Sequence, residues 1–97
     1  MMHYCITKWC KVITDDHKDI YTHRLPRMKK KLKDLYGEVP PLYPFRLLDD
    51  DGEIYAYGVS TDNSSESAFA PLDRYEYDYG VTEIQYKNPE TGKYETL

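Results

Sequence analysis

A chain of 97 residues with 40% hydrophobic content and a formal net charge of −4 can build one hydrophobic core but not two. No apolar run in it approaches the roughly 20 residues that a helix needs to cross a bilayer. It also lacks the basic region followed by an apolar stretch that is typical of a secretion signal. These features argue against a membrane protein. They predict a single soluble domain over residues 1–97, located in the cytoplasm, with both cysteines reduced.

Charge is distributed unevenly along the chain. Residues 1–48 hold ten Lys/Arg and five Asp/Glu, a net of +5, whereas residues 49–97 hold three and twelve, a net of −9. Such asymmetry lets the two halves attract each other on folding, and it also permits an acidic surface that imitates a polyanion.

The first half of the chain predicts one strand and the main helix. Residues 4–14, "YCITKWCKVIT", are rich in β-branched and aromatic residues and favour a strand, although their apolar spacing also fits a helix. Residues 15–23 predict a polar connection. A helix is expected from about Pro26 to Tyr36, because proline suits a first turn and Gly37 can close the end. Its apolar side, which should pack on a sheet, consists of Leu25, Met28, Leu32, Leu35 and Tyr36.

The second half predicts two hairpins. Residues 39–44, "VPPLYP", are expected to form a rigid crossing, because prolines remove backbone donors. The stretches "FRLL" and "EIYAYGV" then flank "DDDG", where Gly52 suits a tight reversal. Residues 60–67, "STDNSSES", predict a polar loop, and "VTEIQY" and "KYETL" predict a final hairpin around "KNPETG".

The stretch "DRYEYDYG", residues 73–80, alternates tyrosines with carboxylates. In a strand Tyr75, Tyr77 and Tyr79 would share one face, but Pro71 and Gly80 bracket the segment, so an irregular or edge segment is expected. The whole pattern predicts an α+β fold with one main helix packed on an antiparallel sheet of four or five strands.

The candidate metal-binding and catalytic groups lack the spacing that their chemistry needs. Cys5, Cys10, His17 and His23 are the residue types of a zinc site, but no longer segment separates two ligand pairs as in a zinc finger. His17 lies among carboxylates in residues 15–19 without an activated nucleophile, and "DDDG" lacks the ligand spacing of an EF-hand. The sequence therefore predicts no metal, no cofactor and no enzyme activity.

A basic segment offers a second functional interpretation. Side chains that could contact phosphates along one helix are Arg24, Arg27, Lys29, Lys30, Lys31 and Lys33. The acidic total opposes a general affinity for nucleic acid, because charge repulsion is long-ranged. A small regulatory protein that binds nucleic acid through Arg24–Lys33 is the alternative function, and direct nucleic-acid binding is not favoured.

The stretches "YPFRLLDDDGEIYAYG" and "FAPLDRYEYDYGVTEIQYKNPETGKYETL", about half of the chain, resemble small acidic proteins of phages and other bacterial mobile elements, a group that includes anti-CRISPR inhibitors. Such proteins are commonly single-domain and non-enzymatic, and some present acidic faces to nucleic-acid-binding surfaces. The resemblance implies an inhibitor whose partner is a host protein or ribonucleoprotein effector with a basic surface, in the cytoplasm of a bacterial cell.

The residues themselves indicate where such a partner would bind. Carboxylates along strands and loops can occupy positions where a partner expects phosphates, and tyrosine supplies an apolar ring with a polar end. For the tyrosines, packing in the core and recognition of a partner remain alternative roles. The predicted partner-binding residues are Asp49, Asp50, Asp51, Glu53, Asp73, Tyr75, Glu76, Tyr77, Asp78 and Tyr79.

Overall fold

The computed structural model describes residues 3–10 and 24–97, except for the side chains of Arg24 and Asp78. These residues fold into an antiparallel sheet with helices packed on it. The elements in chain order are β1 (Tyr4–Trp9), α1 (Arg24–Tyr36), β2 (Tyr43–Leu48), β3 (Ile54–Ser60), a 3₁₀ turn (Glu66–Phe69), α2 (Ala70–Tyr79), β4 (Glu83–Lys87) and β5 (Tyr94–Thr96). The five strands lie in the order β1-β3-β2-β4-β5, and every neighbouring pair is antiparallel. The predicted α+β class is confirmed, with α2 as an additional helix.

The β2–β3 hairpin forms the centre of the sheet. Its turn is closed by Asp49, whose carboxylate accepts the backbone N–H groups of Asp51 and Glu53, both at 2.9 Å. β2 begins at Tyr43, so the prediction that the proline-rich crossing extends to residue 44 is wrong. Pro44 is tolerated in the strand because β4 pairs with β2 only from Phe45 onward, and the missing N–H therefore breaks no bond to β4.

Apart from one residue, the outer strands agree with the remaining predictions where they are described. β1 pairs with β3 and ends at Trp9, so the predicted strand is wrong at Cys10, which is described and lies beyond β1. Residues 11–14 of the predicted strand and the predicted connection at residues 15–23 lie outside the described residues. The final hairpin is confirmed. Its turn is closed by a 2.8 Å hydrogen bond from the Asn88 N–H to the Lys93 carbonyl.

The two faces of the sheet are covered differently. The first face, which we call the core face, carries Phe45, Leu47 and Ile84 and is covered by α2 and the 3₁₀ turn, which contribute Tyr75 and Ala68 to one buried cluster. On the opposite face α1 packs over β1. The remainder of that face, along β3, β2, β4 and β5, is called the open face below.

α1 holds a smaller cluster against the sheet. Its buried side chains Met28 and Leu32 contact Cys5 of β1, and this part of the predicted apolar side is confirmed. Leu35 and Tyr36 are 57% and 56% exposed, so their predicted burial is wrong. Leu25, Leu42 and Val59 complete the cluster around Leu32, and the last turn of α1 extends beyond it.

The segment predicted to be irregular or an edge is the helix α2. Pro71 lies in its first turn, where a missing N–H breaks no helical bond. Gly80 ends the helix in the left-handed conformation, with φ 69° and its N–H bonded to the Glu76 carbonyl at 3.0 Å. None of the helices described is both long and apolar enough to span a bilayer.

The predicted polar loop of residues 60–67 is shorter than expected, because Ser60 belongs to β3 and Glu66 begins the 3₁₀ turn. Asp62 organises what remains. Its carboxylate accepts the N–H groups of Ser64 and Ser65 at 3.0 and 3.1 Å, and these hydrogen bonds lower the pKa of Asp62. The loop is therefore a defined turn that leads into the 3₁₀ turn and α2.

A buried hydroxyl pair fastens this turn to the sheet, and Tyr86→Phe tests it. The Tyr86 hydroxyl donates to the Ala68 carbonyl at 2.9 Å and lies 3.1 Å from the Ser60 hydroxyl oxygen. Its removal takes this donor from the buried Ala68 carbonyl, while the Ser60 hydroxyl keeps its hydrogen bonds with Asp62. We therefore expect the free energy of unfolding to fall by about 1–2 kcal/mol in urea denaturation.

The same variant should change the dependence of stability on pH. Burial raises the pKa of Tyr86 from 10.0 to about 12, so the folded state holds this proton more tightly than the unfolded state. Its contribution to stability is present below pH 10.0 and is lost as the pH rises toward about 12. Tyr86→Phe should therefore lose less stability over this range than the parent protein. An identical loss in both proteins would contradict the assignment.

Candidate functional site

The turn between β2 and β3 carries the first group of predicted partner-binding carboxylates. Asp50, Asp51 and Glu53 are exposed, and we call them the acidic tip. Asp49 differs from them, because its carboxylate is half-buried and holds the turn through the two N–H groups described above. Asp49 therefore shapes the acidic tip, while the three exposed carboxylates can meet a partner.

The second group lies on α2, where helical geometry separates the three tyrosines. Asp73, Glu76 and Tyr77 are spaced by three and four residues, so they form one exposed side of the helix, and Tyr77 is 96% exposed. Tyr75 is 3% exposed and belongs to the core, with Tyr79 half-buried one turn later. The three tyrosines would share a face only in a strand.

Aromatic contacts hold Tyr75 and Tyr79 against the sheet. Their rings stack with centroids 5.8 Å apart and planes at 24°. The Trp9 ring meets Tyr75 and Tyr79 edge-on at 5.5 and 5.2 Å. These contacts turn the opposite side of α2, with Tyr77, toward solvent.

The acidic tip and the end of α2 lie at the same end of the sheet. Gly80 closes α2, and two residues later the Thr82 N–H donates to the carbonyl of Leu48, at the base of the acidic tip, at 2.8 Å. The C-terminus of α2, which is the negative end of its dipole, therefore lies near the base of the acidic tip. Asp78 lies in the last turn of α2, and its side chain is not among those that the structure describes. We call the combined set Asp50, Asp51, Glu53, Asp73, Glu76 and Tyr77 the acidic surface.

The structure also brings together a group of residues on the open face that sequence reasoning missed. Strand pairing places five residues in one row across the sheet: Lys8, Tyr57, Arg46, Gln85 and Thr96. The Arg46 guanidinium lies over the Tyr94 ring, 4.4 Å from its centroid, and its Nε donates to Gln85 Oε1 at 2.7 Å. The order of the strands alone brings these residues together, so no local motif could have identified them.

Glu83 anchors one end of this network. Its carboxylate accepts hydrogen bonds from the Thr96 hydroxyl and from Gln85 Nε2, the latter at 2.6 Å. These bonds, together with the charge of Arg46, lower the pKa of Glu83. Glu83 is therefore a fixed negative group that orients Gln85 toward Arg46.

The residues considered for a metal site are separated where they can be located. Cys5 is buried beneath α1, whereas Cys10 is exposed at the end of β1. His17 and His23, and the carboxylates of residues 15–19, lie outside the described residues. Within residues 3–10 and 24–97, no three His, Cys, Asp or Glu side chains are grouped so that they could hold a metal ion.

An open groove of about 410 Å³ lies between the β4–β5 hairpin and the loop at Asn63. Its wall includes Tyr86, whose hydroxyl donates a hydrogen bond to the Ala68 carbonyl, and the charged side chains of Lys87 and Glu95. The lining contains no histidine or cysteine, the usual general base and nucleophile.

Comparisons with known proteins returned no matching protein family, no similar curated sequence and no similar solved structure.

Proposed function

We propose that this protein is a non-enzymatic inhibitor from a phage or other mobile element that acts in the cytoplasm of a bacterial cell. It covers the basic, nucleic-acid-binding surface of a host protein or ribonucleoprotein effector, in the manner of the anti-CRISPR proteins that residues 43–58 and 69–97 resemble. The acidic surface is the part that contacts this partner.

The observation that carries the proposal is the placement of Tyr77 beside Asp73 and Glu76 on the solvent side of α2. A large aromatic side chain that is 96% exposed contributes nothing to the core, and tyrosine is enriched among the residues that dominate binding energy in interfaces. Flanking carboxylates match a basic partner, since complementary charge speeds association and excludes wrong partners.

The position of the acidic tip supports the same conclusion. Its carboxylates lie on a turn whose backbone is held by the Asp49 carboxylate, so a partner has to order the side chains but not the turn itself. A basic groove shaped for phosphates would meet carboxylates from two elements, the acidic tip and α2. Arg74, a cation on the same helix as Asp73 and Glu76, lies over the Tyr75 ring, with 5.2 Å between its Cζ and the ring centroid.

Charge reversal tests the acidic surface. The variant Asp50→Lys, Asp51→Lys, Glu76→Lys should fold normally because all three side chains are exposed, and it omits Asp49, which closes the turn. We expect its affinity for the partner to fall by about 100-fold or more, because like charges would then face each other across the interface. The partner is captured from a host lysate, purified, and titrated with each variant while its binding to nucleic acid is followed.

The matched control is Asp34→Lys, Glu38→Lys, Glu90→Lys, which makes the same change of net charge at exposed positions outside the acidic surface. Its affinity should stay within about threefold of the parent protein. If both triple variants lose affinity equally, or if neither does, the acidic surface is not the binding site.

A further inference from the structure

Arg46 is held on the open face as an oriented cation. Stacking on Tyr94 fixes the plane of its guanidinium, and the hydrogen bond to Gln85 fixes its rotation. Gln85 is fixed in turn by Glu83. Among the described residues, the terminal nitrogens of Arg46 have no hydrogen-bond partner, so their N–H groups remain available to an oxyanion.

Two tyrosines accompany this cation on the same face. Tyr57 is the cross-strand neighbour of Arg46, and its ring meets Tyr94 edge-on at 6.0 Å. Both residues are half-buried, so neither is fully covered by the rest of the protein. Aromatic rings on an antiparallel sheet are the platforms on which unpaired bases stack.

Lysines border the platform. Lys8 is exposed opposite Tyr57, and Lys87 is exposed opposite Tyr94. α1, which packs on this side of the sheet over β1, adds four exposed lysines: Lys29, Lys30, Lys31 and Lys33. The carboxylates Asp73 and Glu76 lie on α2, across the sheet. On this side of the sheet the cations outnumber Glu83, the carboxylate of the Arg46 network, so the net charge of −4 conceals a locally basic face.

We propose that the open face binds single-stranded nucleic acid. Arg46 and the bordering lysines contact phosphates, and the exposed parts of Tyr57 and Tyr94 stack on unpaired bases. A duplex is disfavoured, because its bases are already stacked and are not offered to the two rings. Phosphate contacts and base stacking do not depend strongly on sequence, so we expect the open face to bind single strands of different sequences. This site is separate from the acidic surface.

The test is fluorescence anisotropy with labelled oligo(U) and oligo(dT) of about 15 nucleotides, titrated with the full chain at about 50 mM salt. We expect micromolar binding that weakens as salt is raised, and weaker binding to a duplex of the same length. Arg46→Gln should weaken binding by about tenfold and reduce the salt dependence by about one phosphate contact.

The variants Lys87→Glu and Lys93→Glu form a matched pair. Both lysines are exposed in the β4–β5 hairpin and undergo the same change of charge, but Lys87 pairs with Tyr94 on the open face, whereas Lys93 lies in the turn before β5, outside the strand pairing. Lys87→Glu should weaken binding by about fivefold, while Lys93→Glu should leave it within about twofold. Thermal melts of all variants check that the fold is kept.

Three outcomes would overturn the proposal: no change in anisotropy, equal losses in the two lysine variants, or equal competition by polyglutamate, which carries negative charge without bases. The triple variant of the acidic surface should bind the oligonucleotide at least as well as the parent protein. The two binding proposals can therefore be contradicted independently of each other.

Discussion

Gly58→Ala is expected to lower the free energy of unfolding by about 3 kcal/mol and the melting temperature by roughly 15 °C. Gly58 lies in β3, between β1 and β2, and a Cβ atom there would come within 2.4 Å of Phe45 Cζ and 2.5 Å of the Cys5 carbonyl oxygen. Phe45 is fully buried, and the carbonyl belongs to the backbone of the neighbouring strand. Neither atom can move without disturbing the sheet.

Gly80→Ala is the matched control for this effect. A Cβ atom at Gly80 would meet nothing within 4 Å, so the variant has only the strain of a left-handed residue, about 1 kcal/mol. Adding Phe45→Leu to Gly58→Ala should make the two changes less than additive, because the smaller side chain relieves one of the two clashes. Circular dichroism melts of five proteins measure these effects: the parent protein, Gly58→Ala, Gly80→Ala, Phe45→Leu and the double variant Gly58→Ala, Phe45→Leu. A smaller loss in Gly58→Ala than in Gly80→Ala would contradict the packing argument.

Tyr75→Ala and Tyr77→Ala are expected to behave oppositely, although only two positions separate them. Tyr75 is 3% exposed and packs with Trp9 and Tyr79, so its truncation should remove about 3–5 kcal/mol of stability. Tyr77 is 96% exposed, and its truncation should change stability by less than about 0.5 kcal/mol. On the proposed function, Tyr77→Ala instead weakens capture of the partner by about tenfold or more.

Tyr75→Phe serves as the control, since it keeps the ring and should retain most of the stability. Urea denaturation and partner titration on the same preparations separate the two roles. If Tyr77→Ala melted as early as Tyr75→Ala, the assignment of sides on α2 would be wrong. If Tyr77→Ala captured the partner at unchanged affinity, the ring would not be part of the interface.

Local chemistry explains which elements were predictable. The β2–β3 turn needs a side-chain acceptor at Asp49, and the final hairpin places Asn88 and Gly92 at its turn, so short motifs specified both hairpins. α1 follows its apolar spacing at Met28 and Leu32. In these places the sequence signal and the observed structure depend on the same few neighbouring residues.

α2 and the open face depend on distant residues, which is why sequence reasoning missed them. The alternation of tyrosine and carboxylate imitates a strand, yet Tyr75 and Tyr79 become buried only as a helix packed on Trp9, near the other end of the chain. Similarly, Arg46 meets Gln85 and Tyr94 only after β2, β4 and β5 have aligned. The exposed carboxylates were recognised as candidates, but the grouping of Asp73 and Glu76 with Tyr77 required the helix.

The order of the strands in the sheet also affects the order in which they can pair during folding. β1 precedes the other described strands along the chain, yet among the described residues its partner in the sheet is β3, which ends at Ser60. The β2–β3 hairpin can close within its own sequence, whereas β1 must wait for a contact of high sequence separation. Until then Ile6 and Trp9 are exposed on a nascent chain, a state open to chaperones and aggregation. β1 is therefore expected to be the last strand to gain protection from hydrogen exchange during folding, and the first to lose it when the protein opens.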